Sequence, residues 1–274
     1  DPFDGQQALR DRVLVTPVDP QVSFADDPLR ILRAARFIAR HDLTVAPGVA
    51  EAAARLVSRL EIVSAERVRD EFDKLLASDR PSAGMAFLDR VGALSTALPF
   101  FPVTEIEAIG ADLDRSTRSV FLRRLIVFSR CSPEARRGQV EALRYSNRDR
   151  RRMLTLLDGV DSVAEHEGTW SESEIRRLVD LVGHDPMTML VELVAILLPG
   201  DLLELRTEFE RLDSREDLSS LAPALTGEEV MDLLDLGSGP QVGTALDLLR
   251  QRRIEHGPAT AAEERTHLRR HWRG

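Results

Sequence analysis

The sequence predicts an all-α protein, an elongated multi-helix array without a substantial β-sheet. Apolar residues recur at helical spacing along almost the whole chain, as expected where one face of each helix is buried. Prolines stand at or near the first position of five predicted helices, where the missing N–H costs nothing. No stretch alternates convincingly between polar and apolar residues. Hydrophobic residues make up 43% of the chain and aromatic residues only 5%, so the core is expected to consist of aliphatic side chains.

The predicted elements begin with an extended lead-in over residues 13–24, which contains Pro17 and Pro20. From there helical patterns cover almost everything, and prolines near residue 100 interrupt them once. The predicted helices are 27–41, 47–60, 65–77, 82–94, 115–130, 133–143, 148–157, 170–182, 186–198, 202–212, 227–234, 240–253 and 259–271.

The first long helix is expected to separate charge from core. At about 100° per residue, its aliphatic residues share one face, and they are Ile31, Leu32, Ala35, Ile38 and Ala39. The opposite third of the circumference carries four arginines, namely Arg30, Arg33, Arg36 and Arg40. Like charges three or four residues apart repel each other. The pattern therefore favours an anion or a set of carboxylates facing this helix, such as a nucleoside triphosphate or an RNA backbone.

Asp27 and Arg30 at the start of this helix form a candidate base-recognition pair. A carboxylate only accepts hydrogen bonds and a guanidinium only donates them. Cytosine and adenine present an amino donor beside a ring-nitrogen acceptor, whereas guanine and uracil present the reverse order. A fixed Asp/Arg pair can therefore match C and A, because a mismatched base leaves polar groups unpaired. The same spacing also fits a plain local ion pair at a helix N-terminus, and both interpretations remain open.

Three ordered segments resemble the class II tRNA nucleotidyltransferases, the CCA-adding enzymes and their bacterial poly(A) polymerase relatives. Residues 26–37, Asp-Asp-Pro-Leu-Arg-Ile-Leu-Arg-Ala-Ala-Arg-Phe, resemble the nucleotide-selecting motif of that family. Residues 1–5 with Leu9 and Arg12 resemble its Asp-Pro-Phe-Gly-Gly segment, and residues 66–76 resemble its Glu-Arg-x-x-x-Glu neck helix. Together these segments cover about the first 80 residues, and the rest resembles the family's helical body and tail more loosely.

The chain departs from the family pattern at single positions and in extent. Asp4 stands where the family usually has glycine, Ala8 where it has aspartate, and Asp26 where it has glutamate. The family's N-terminal head carries a glycine-rich turn, an Asp-x-Asp metal pair and an Arg-Arg-Asp segment, and no such motif precedes Asp1. We therefore expect a neck, body and tail without the catalytic head, and no catalytic or metal-binding residue is assigned to this chain.

The resemblance implies a part in adding the 3′-terminal CCA to tRNA. Asp27 and Arg30 would template the base of CTP or ATP, and Arg33 and Arg36 would support that template or contact the triphosphate. The body and tail would bind tRNA, and Mg²⁺ would be held by the head. Poly(A), CC-only and A-only addition remain alternatives within the family. A stand-alone helical RNA-binding or scaffold protein is an alternative outside it.

Two further arginine groups are candidate RNA contacts. Arg148, Arg151 and Arg152 open a predicted helix, and Arg269 and Arg270 lie near the end of the chain. Arginine forks bind phosphate oxygens well, although a solvated helix face gives the same pattern. The formal net charge of −9 argues against a surface that is basic throughout, so RNA binding would depend on local clusters.

The remaining composition excludes several classes of protein. Cys131 is the only cysteine, which rules out an intramolecular disulfide, and no Cys/His set has zinc spacing. No signal peptide or long apolar run is present, so we expect a cytoplasmic protein that does not engage a membrane. The polar stretch 213–220 and the prolines near residue 100 suggest three parts. These are a head linker plus neck over 1–98, a body over 99–212 and a tail over 213–274.

Overall fold

The computed structural model describes residues 3–198 and 202–273 of the chain. Over these residues the protein is all-α, which confirms the predicted class. The helices in chain order are α1 (Gly5–Arg10), α2 (Pro20–Asp26), α3 (Arg30–His41), α4 (Val49–Leu56), α5 (Ala65–Leu76), α6 (Pro81–Arg90), α7 (Ala93–Ala97), α8 (Ile106–Arg115), α9 (Val120–Ser129), α10 (Pro133–Ala142), α11 (Asn147–Ala164), α12 (Glu172–Val182), α13 (Met187–Leu197), α14 (Leu202–Asp213), α15 (Gly227–Leu234), α16 (Pro240–His256) and α17 (Ala261–His271).

Two short strands are the only sheet among the described residues. β1 (Val13–Leu14) pairs in parallel with β2 (Thr44–Val45), with Val13 opposite Thr44 and Leu14 opposite Val45. The pair ties the segment before α2 to the end of α3, because Ala46 N also donates to Leu14 O at 3.1 Å. The expectation that no substantial sheet forms is therefore correct for the described residues.

The extended lead-in predicted over 13–24 is wrong in its second half, which forms α2. The Asp19 side chain accepts hydrogen bonds from the backbone N–H groups of Gln21 and Val22, and Pro20 occupies the first helical position. These are standard helix-start signals. The predicted helix 27–41 correspondingly begins later, at Arg30, because Asp27 adopts an extended conformation with φ −140° and ψ 98°.

Several observed helix boundaries differ from the predicted ones because of a glycine and a 3₁₀ segment. The predicted helix 82–94 is divided into α6 and α7 at Gly92, whose φ of +74° lies in the left-handed region. The predicted helix 47–60 becomes α4 followed by a 3₁₀ helix, Val57–Ile62. Helix α8 was not predicted, and the pattern over 115–130 corresponds to α9 alone.

The chain divides into two compact units, Asp1–Val160 and Asp161–Gly274, with the division inside α11. The three-part division suggested by the sequence stays a prediction. Residue 216 lies in the predicted linker 213–220, yet its carboxylate is buried and bonded to the guanidinium groups of Arg176 and Arg253 at 2.7 and 2.8 Å. This part of the second unit is therefore firmly packed.

The core around α3 positions the candidate site. All five aliphatic residues predicted to face the core from α3 are 5% exposed or less. Helix α6 approaches α3 closely at Gly84, where a Cβ atom would lie 2.6 Å from the carbonyl oxygen of Ala35. Any larger residue at position 84 would push the two helix backbones apart.

Candidate nucleotide and RNA sites

Asp27 and Arg30 lie at the junction of α2 and α3, and each is held by different partners. The Asp27 carboxylate accepts from Leu29 N at 3.2 Å and from Nη2 of Arg67, which lies 3.4 and 3.3 Å from its two oxygens. Arg30 Nη1 donates to the backbone carbonyl and the hydroxyl of Ser23, both at 3.1 Å. Asp27 is thus oriented from α5 and Arg30 from α2.

A cavity of about 460 Å³ lies beside this junction. Its polar lining includes Asp26, Arg30 and Arg33, and Phe37 contributes an aromatic wall. The remaining wall comes from residues 14–18, from α2 and from Ala34 of α3. A concave site with an apolar wall and a few convergent charges is typical of small-molecule binding. Asp26, for which no role was predicted, lines the cavity, whereas Asp27 lies beside it and is not among the lining residues.

Arg33 and Arg36 have different environments. Arg33 is exposed and lines the cavity, and within the part of the chain that the structure describes it has no hydrogen-bond or ion-pair partner. Arg36 is mostly buried and lies 2.9 Å from the Glu71 carboxylate of α5, with its guanidinium 4.8 Å from the centre of the Phe37 ring. Arg36 therefore links α3 to α5 through an ion pair, whereas the guanidinium of Arg33 lines the cavity without a partner among the described residues.

Helix α5 supplies residues to the site for which no individual roles were predicted. Arg67 bonds Asp27, Glu71 bonds Arg36, and Lys74 adds a second cation 3.0 Å from Glu71. The signal was the spacing of these residues, because positions 67, 71 and 74 share one helix face. The partners of Arg67 and Glu71 could not be read from the sequence, since Asp27 and Arg36 lie 40 and 35 residues upstream of them.

Residues 1–5, which resemble the family's Asp-Pro-Phe-Gly-Gly segment, lie only partly within the described residues. Asp1 and Pro2 lie outside the described residues. Asp4 precedes α1 with φ +51°, a left-handed conformation that glycine adopts without strain. This conformation explains why glycine suits the position and why aspartate, which tolerates the left-handed region better than most residues, can replace it.

The candidate RNA arginines are placed at the surface. Arg148 and Arg151 are exposed in the first turns of α11 and have no partner among the described residues. Arg152 lies over the Phe121 ring, with its guanidinium carbon 4.4 Å from the ring centre. In the second unit, Arg269 and Arg270 are exposed in the last turn of α17. The first group lies in the same unit as the cavity.

A metal-dependent step cannot be assigned to these side chains. Within residues 3–198 and 202–273 no three His, Cys, Asp or Glu side chains converge in a way that could hold a metal ion. Among the described residues that line the cavity, Asp26 contributes the single carboxylate. Over the same residues, no helix combines the length and apolar character that a bilayer crossing requires.

Comparisons with known proteins identify relatives along most of the chain. Residues 42–103 match the family model described as the probable RNA and SrmB-binding site of polymerase A. The CC-adding tRNA nucleotidyltransferase of Synechocystis sp. is 26% identical over 262 residues, covering 85% of this chain and 61% of that protein. The CCA-adding enzyme of Bordetella pertussis is 30% identical over 214 residues, covering 74% of this chain and 56% of that protein.

A solved structure with the same fold covers nearly the whole chain. The crystal structure of the Bacillus stearothermophilus CCA-adding enzyme in complex with CTP superposes with a TM-score of 0.75 at 19% identity. It covers 98% of this chain and 69% of that one. The chain thus spans about 60% of the length of these two curated relatives. From the ordered motifs, the shared helical fold and these relatives, the chain belongs to the class II tRNA nucleotidyltransferase family.

Proposed function

We propose that this chain is the nucleotide-selecting and RNA-binding part of a tRNA nucleotidyltransferase that adds CCA to tRNA 3′ ends. The observation that carries the proposal is the junction of α2 and α3. There Asp27 and Arg30 are fixed by Arg67 and Ser23 next to a cavity large enough for a nucleotide base and sugar. Relatives named as CCA-adding and CC-adding enzymes support the same reaction class.

The chemistry of the two side chains favours CTP and ATP. Arg30 has one nitrogen engaged by Ser23, which leaves other N–H groups of its fork for a ring-nitrogen acceptor. Asp27 is engaged by Arg67 at distances of 3.3 Å or more, and its oxygens have further lone pairs for an amino donor. Guanine and uracil would set a carbonyl against the carboxylate and an N–H against the guanidinium. We assign Arg33 to attracting the triphosphate. The proposed contacts to RNA phosphates are Arg148, Arg151, Arg152, Arg269 and Arg270.

Within the described residues, no side chains converge to form the metal site that transfer requires. Phosphoryl transfer by this kind of enzyme uses Mg²⁺ to stabilise charge on the attacking and leaving oxygens, and we assign Mg²⁺ to a catalytic head. We therefore expect residues 1–274 alone to give no extension of tRNA lacking its CCA end with CTP, ATP and Mg²⁺. Robust extension by these residues alone would contradict this assignment.

Nucleotide selection is tested by incorporation with the full-length gene product. The wild type should add CMP and AMP to tRNA lacking its CCA end at least tenfold faster than UMP and GMP. Asp27→Ala and Arg30→Ala should reduce this discrimination, because one side of the base edge then lacks its partner. Glu61→Gln, at an exposed carboxylate outside the cavity lining, is the matched control. Unchanged discrimination in both site variants would overturn the assignment of base selection to Asp27 and Arg30. No incorporation by the wild type would favour the scaffold alternative.

The relative from Synechocystis sp. favours a second candidate, addition of CC only. That protein is a CC-adding enzyme and covers 85% of this chain. The two reactions are separated by sequencing the product of the same assay with both nucleotides present. Ends in CCA support the first proposal, and ends in CC that persist with excess ATP support the second.

A further inference from the structure

The turn between α10 and α11 is attached to helix α5. Arg144 has φ +50°, and this sharp turn points its backbone carbonyl at α5, where it accepts from Arg69 Nη1 at 2.8 Å. The Arg144 side chain reaches back to Glu66 at 2.8 Å. Two residues of α5 therefore hold one residue of the turn, and a non-glycine residue keeps an unfavourable backbone conformation there.

Tyr145, the next residue, anchors the turn in the core of the first unit. It is 6% exposed, and its hydroxyl donates to Asp73 at 3.4 Å. Asp73 also accepts two hydrogen bonds from Arg124, whose Nε and Nη2 lie 2.8 and 2.5 Å from the two carboxylate oxygens of Asp73. The Arg124 guanidinium lies 4.7 Å from the centre of the Tyr145 ring. Burial and the Asp73 charge raise the pKa of Tyr145, so the phenol remains a donor.

The same turn determines where α11 begins. Ser146 Oγ accepts from Asp149 N at 3.1 Å, and Ser146 O accepts from Arg150 N at 2.9 Å. These bonds start the helix directly after the anchored residue. Arg148 and Arg151 lie in its first turns, so their position follows from the position of Tyr145.

Helix α5 therefore contacts two candidate sites with two different faces. Glu66 and Asp73 project toward the Arg144–Tyr145 turn, whereas Arg67 and Glu71 contact Asp27 and Arg36. At about 100° per residue the two faces are separated by roughly 130°. The third face of α5 is buried in the core through Val68, Phe72, Leu75 and Leu76. A rigid helix packed in this way sets the spacing between the base-recognition residues and the arginines of α11.

We propose that Asp73 and Glu66 are positioning residues for RNA, acting through the Arg144–Tyr145 turn on Arg148 and Arg151. Their role is to hold an RNA strand bound by these arginines at a fixed distance from Asp27. This inference rests on the proposed function, because it takes the arginines of α11 as RNA contacts. It goes further by assigning RNA binding to two carboxylates, whose charge alone would repel RNA.

The sign of the change in RNA affinity tests this proposal. The measurement uses the full chain and a tRNA transcript lacking its CCA end. Asp73→Asn and Glu66→Gln each remove a negative charge, so electrostatics alone would tighten RNA binding. Positioning predicts the opposite result, an affinity at least threefold weaker for Asp73→Asn and a smaller loss for Glu66→Gln. Glu61→Gln and Asp89→Asn remove exposed carboxylates away from the turn and should leave the affinity unchanged or slightly raised.

A second background shows whether the two carboxylates act through the arginines. In the Arg148→Ala/Arg151→Ala variant, Asp73→Asn should no longer weaken RNA binding, since the groups that it positions are gone. Weakening of the same size in both backgrounds would overturn the inference and leave the RNA site intact. RNA affinity that is unchanged in Arg148→Ala/Arg151→Ala itself would overturn both the inference and the proposed RNA site.

Unchanged or tighter RNA binding in both carboxylate variants, Asp73→Asn and Glu66→Gln, would also overturn the inference. Glu66 is half-exposed, so Glu66→Gln keeps the test valid if Asp73→Asn fails to fold.

Discussion

Single residues at the α2–α3 junction show how a charged pair can be held ready for a ligand. Asp27 and Arg30 are three positions apart, and a direct ion pair between them would have satisfied both charges. The structure instead provides Arg67 for the carboxylate and Ser23 for the guanidinium. Each group is oriented by a partner of its own, so its remaining lone pairs or N–H groups can face a base. Ordering both groups before binding reduces the entropy that binding must overcome.

Cys131 offers a sharp test of the packing around α9 and α10. Its side chain is 5% exposed and its thiol donates to Phe100 O at 3.6 Å. Burial raises the pKa of this thiol to about 11, although Arg136 acts in the opposite direction. At pH 8 only ~0.1% of the native thiol would be thiolate, against roughly a quarter at an ordinary pKa of about 8.5. We therefore expect the native chain to react with a thiol-specific disulfide reagent at least a hundredfold more slowly than the chain in 6 M urea, measured by absorbance. Equal rates in the two states would contradict the buried placement.

At this scale the sequence allowed residue types to be predicted but not their partners. The charge pattern of residues 27–36 identified Asp27, Arg30, Arg33 and Arg36 as a group. Arg33 does line the cavity, whereas Arg36 is bonded to Glu71. That contact joins residues 35 positions apart in the sequence, and only the packing of α5 on α3 brings them together. The roles of these four residues in nucleotide binding stay predictions.

Among the elements, boundaries were predictable where a local signal sets them. Thr226 and Thr260 begin α15 and α17 with complete capping boxes, to Glu229 and Glu263 respectively. Helix α2 was missed because Pro17 and Pro20 made the whole segment look extended, although Asp19-Pro20 is itself a helix-start signal. The end of α5 depends instead on a distant residue, Arg123 of α9, which no local pattern shows.

Arg123 is expected to stabilise the link between α5 and α6. It is 2% exposed, and its Nη1 donates to the carbonyl oxygens of Leu76 and Ser78 at 2.5 and 2.7 Å. Those carbonyls lie at and just beyond the end of α5, where helix carbonyls lack intrahelical partners. Arg123→Met preserves volume but leaves them unpaired in the core. We expect the free energy of unfolding to fall by about 2 kcal/mol or more, measured by urea titration.

Arg118 provides the matched control for this variant. It also lies near α9, but its side chain is 70% exposed in an ion pair with Asp79. Exposed pairs contribute little because water solvates both charges, so Arg118→Met should change the free energy of unfolding by less than about 0.5 kcal/mol. Similar losses in both variants would show that Arg123 acts through its charge and not through the two carbonyls.

For the molecule as a whole, fold class was the most predictable property. Helical periodicity over almost every segment determines that the chain is all-α, because it leaves no alternating stretch from which a sheet could form. The two-strand pair was not predicted, since two residues per strand are too few to show alternation. The predicted boundaries at 98 and 212 stay predictions, and the division between the two compact units lies within a continuous helix. Composition carries no signal at such a point, because the helix pattern continues through it.

The net charge makes the salt dependence of RNA binding informative. With a net charge of −9 the chain as a whole repels RNA, so affinity must come from local arginines that displace counterions from phosphates. Arg148→Ala/Arg151→Ala and Arg269→Ala/Arg270→Ala should each weaken tRNA binding. Each should also reduce the slope of log affinity against log salt by about 1 to 2, roughly one per lost phosphate contact. Filter binding from 50 to 300 mM salt measures both effects.

Arg206→Gln, which removes an exposed arginine already paired with Glu210, should leave the slope unchanged. If a double variant lost affinity with no change in slope, its arginines would act on the fold of the RNA-binding surface and not on phosphates.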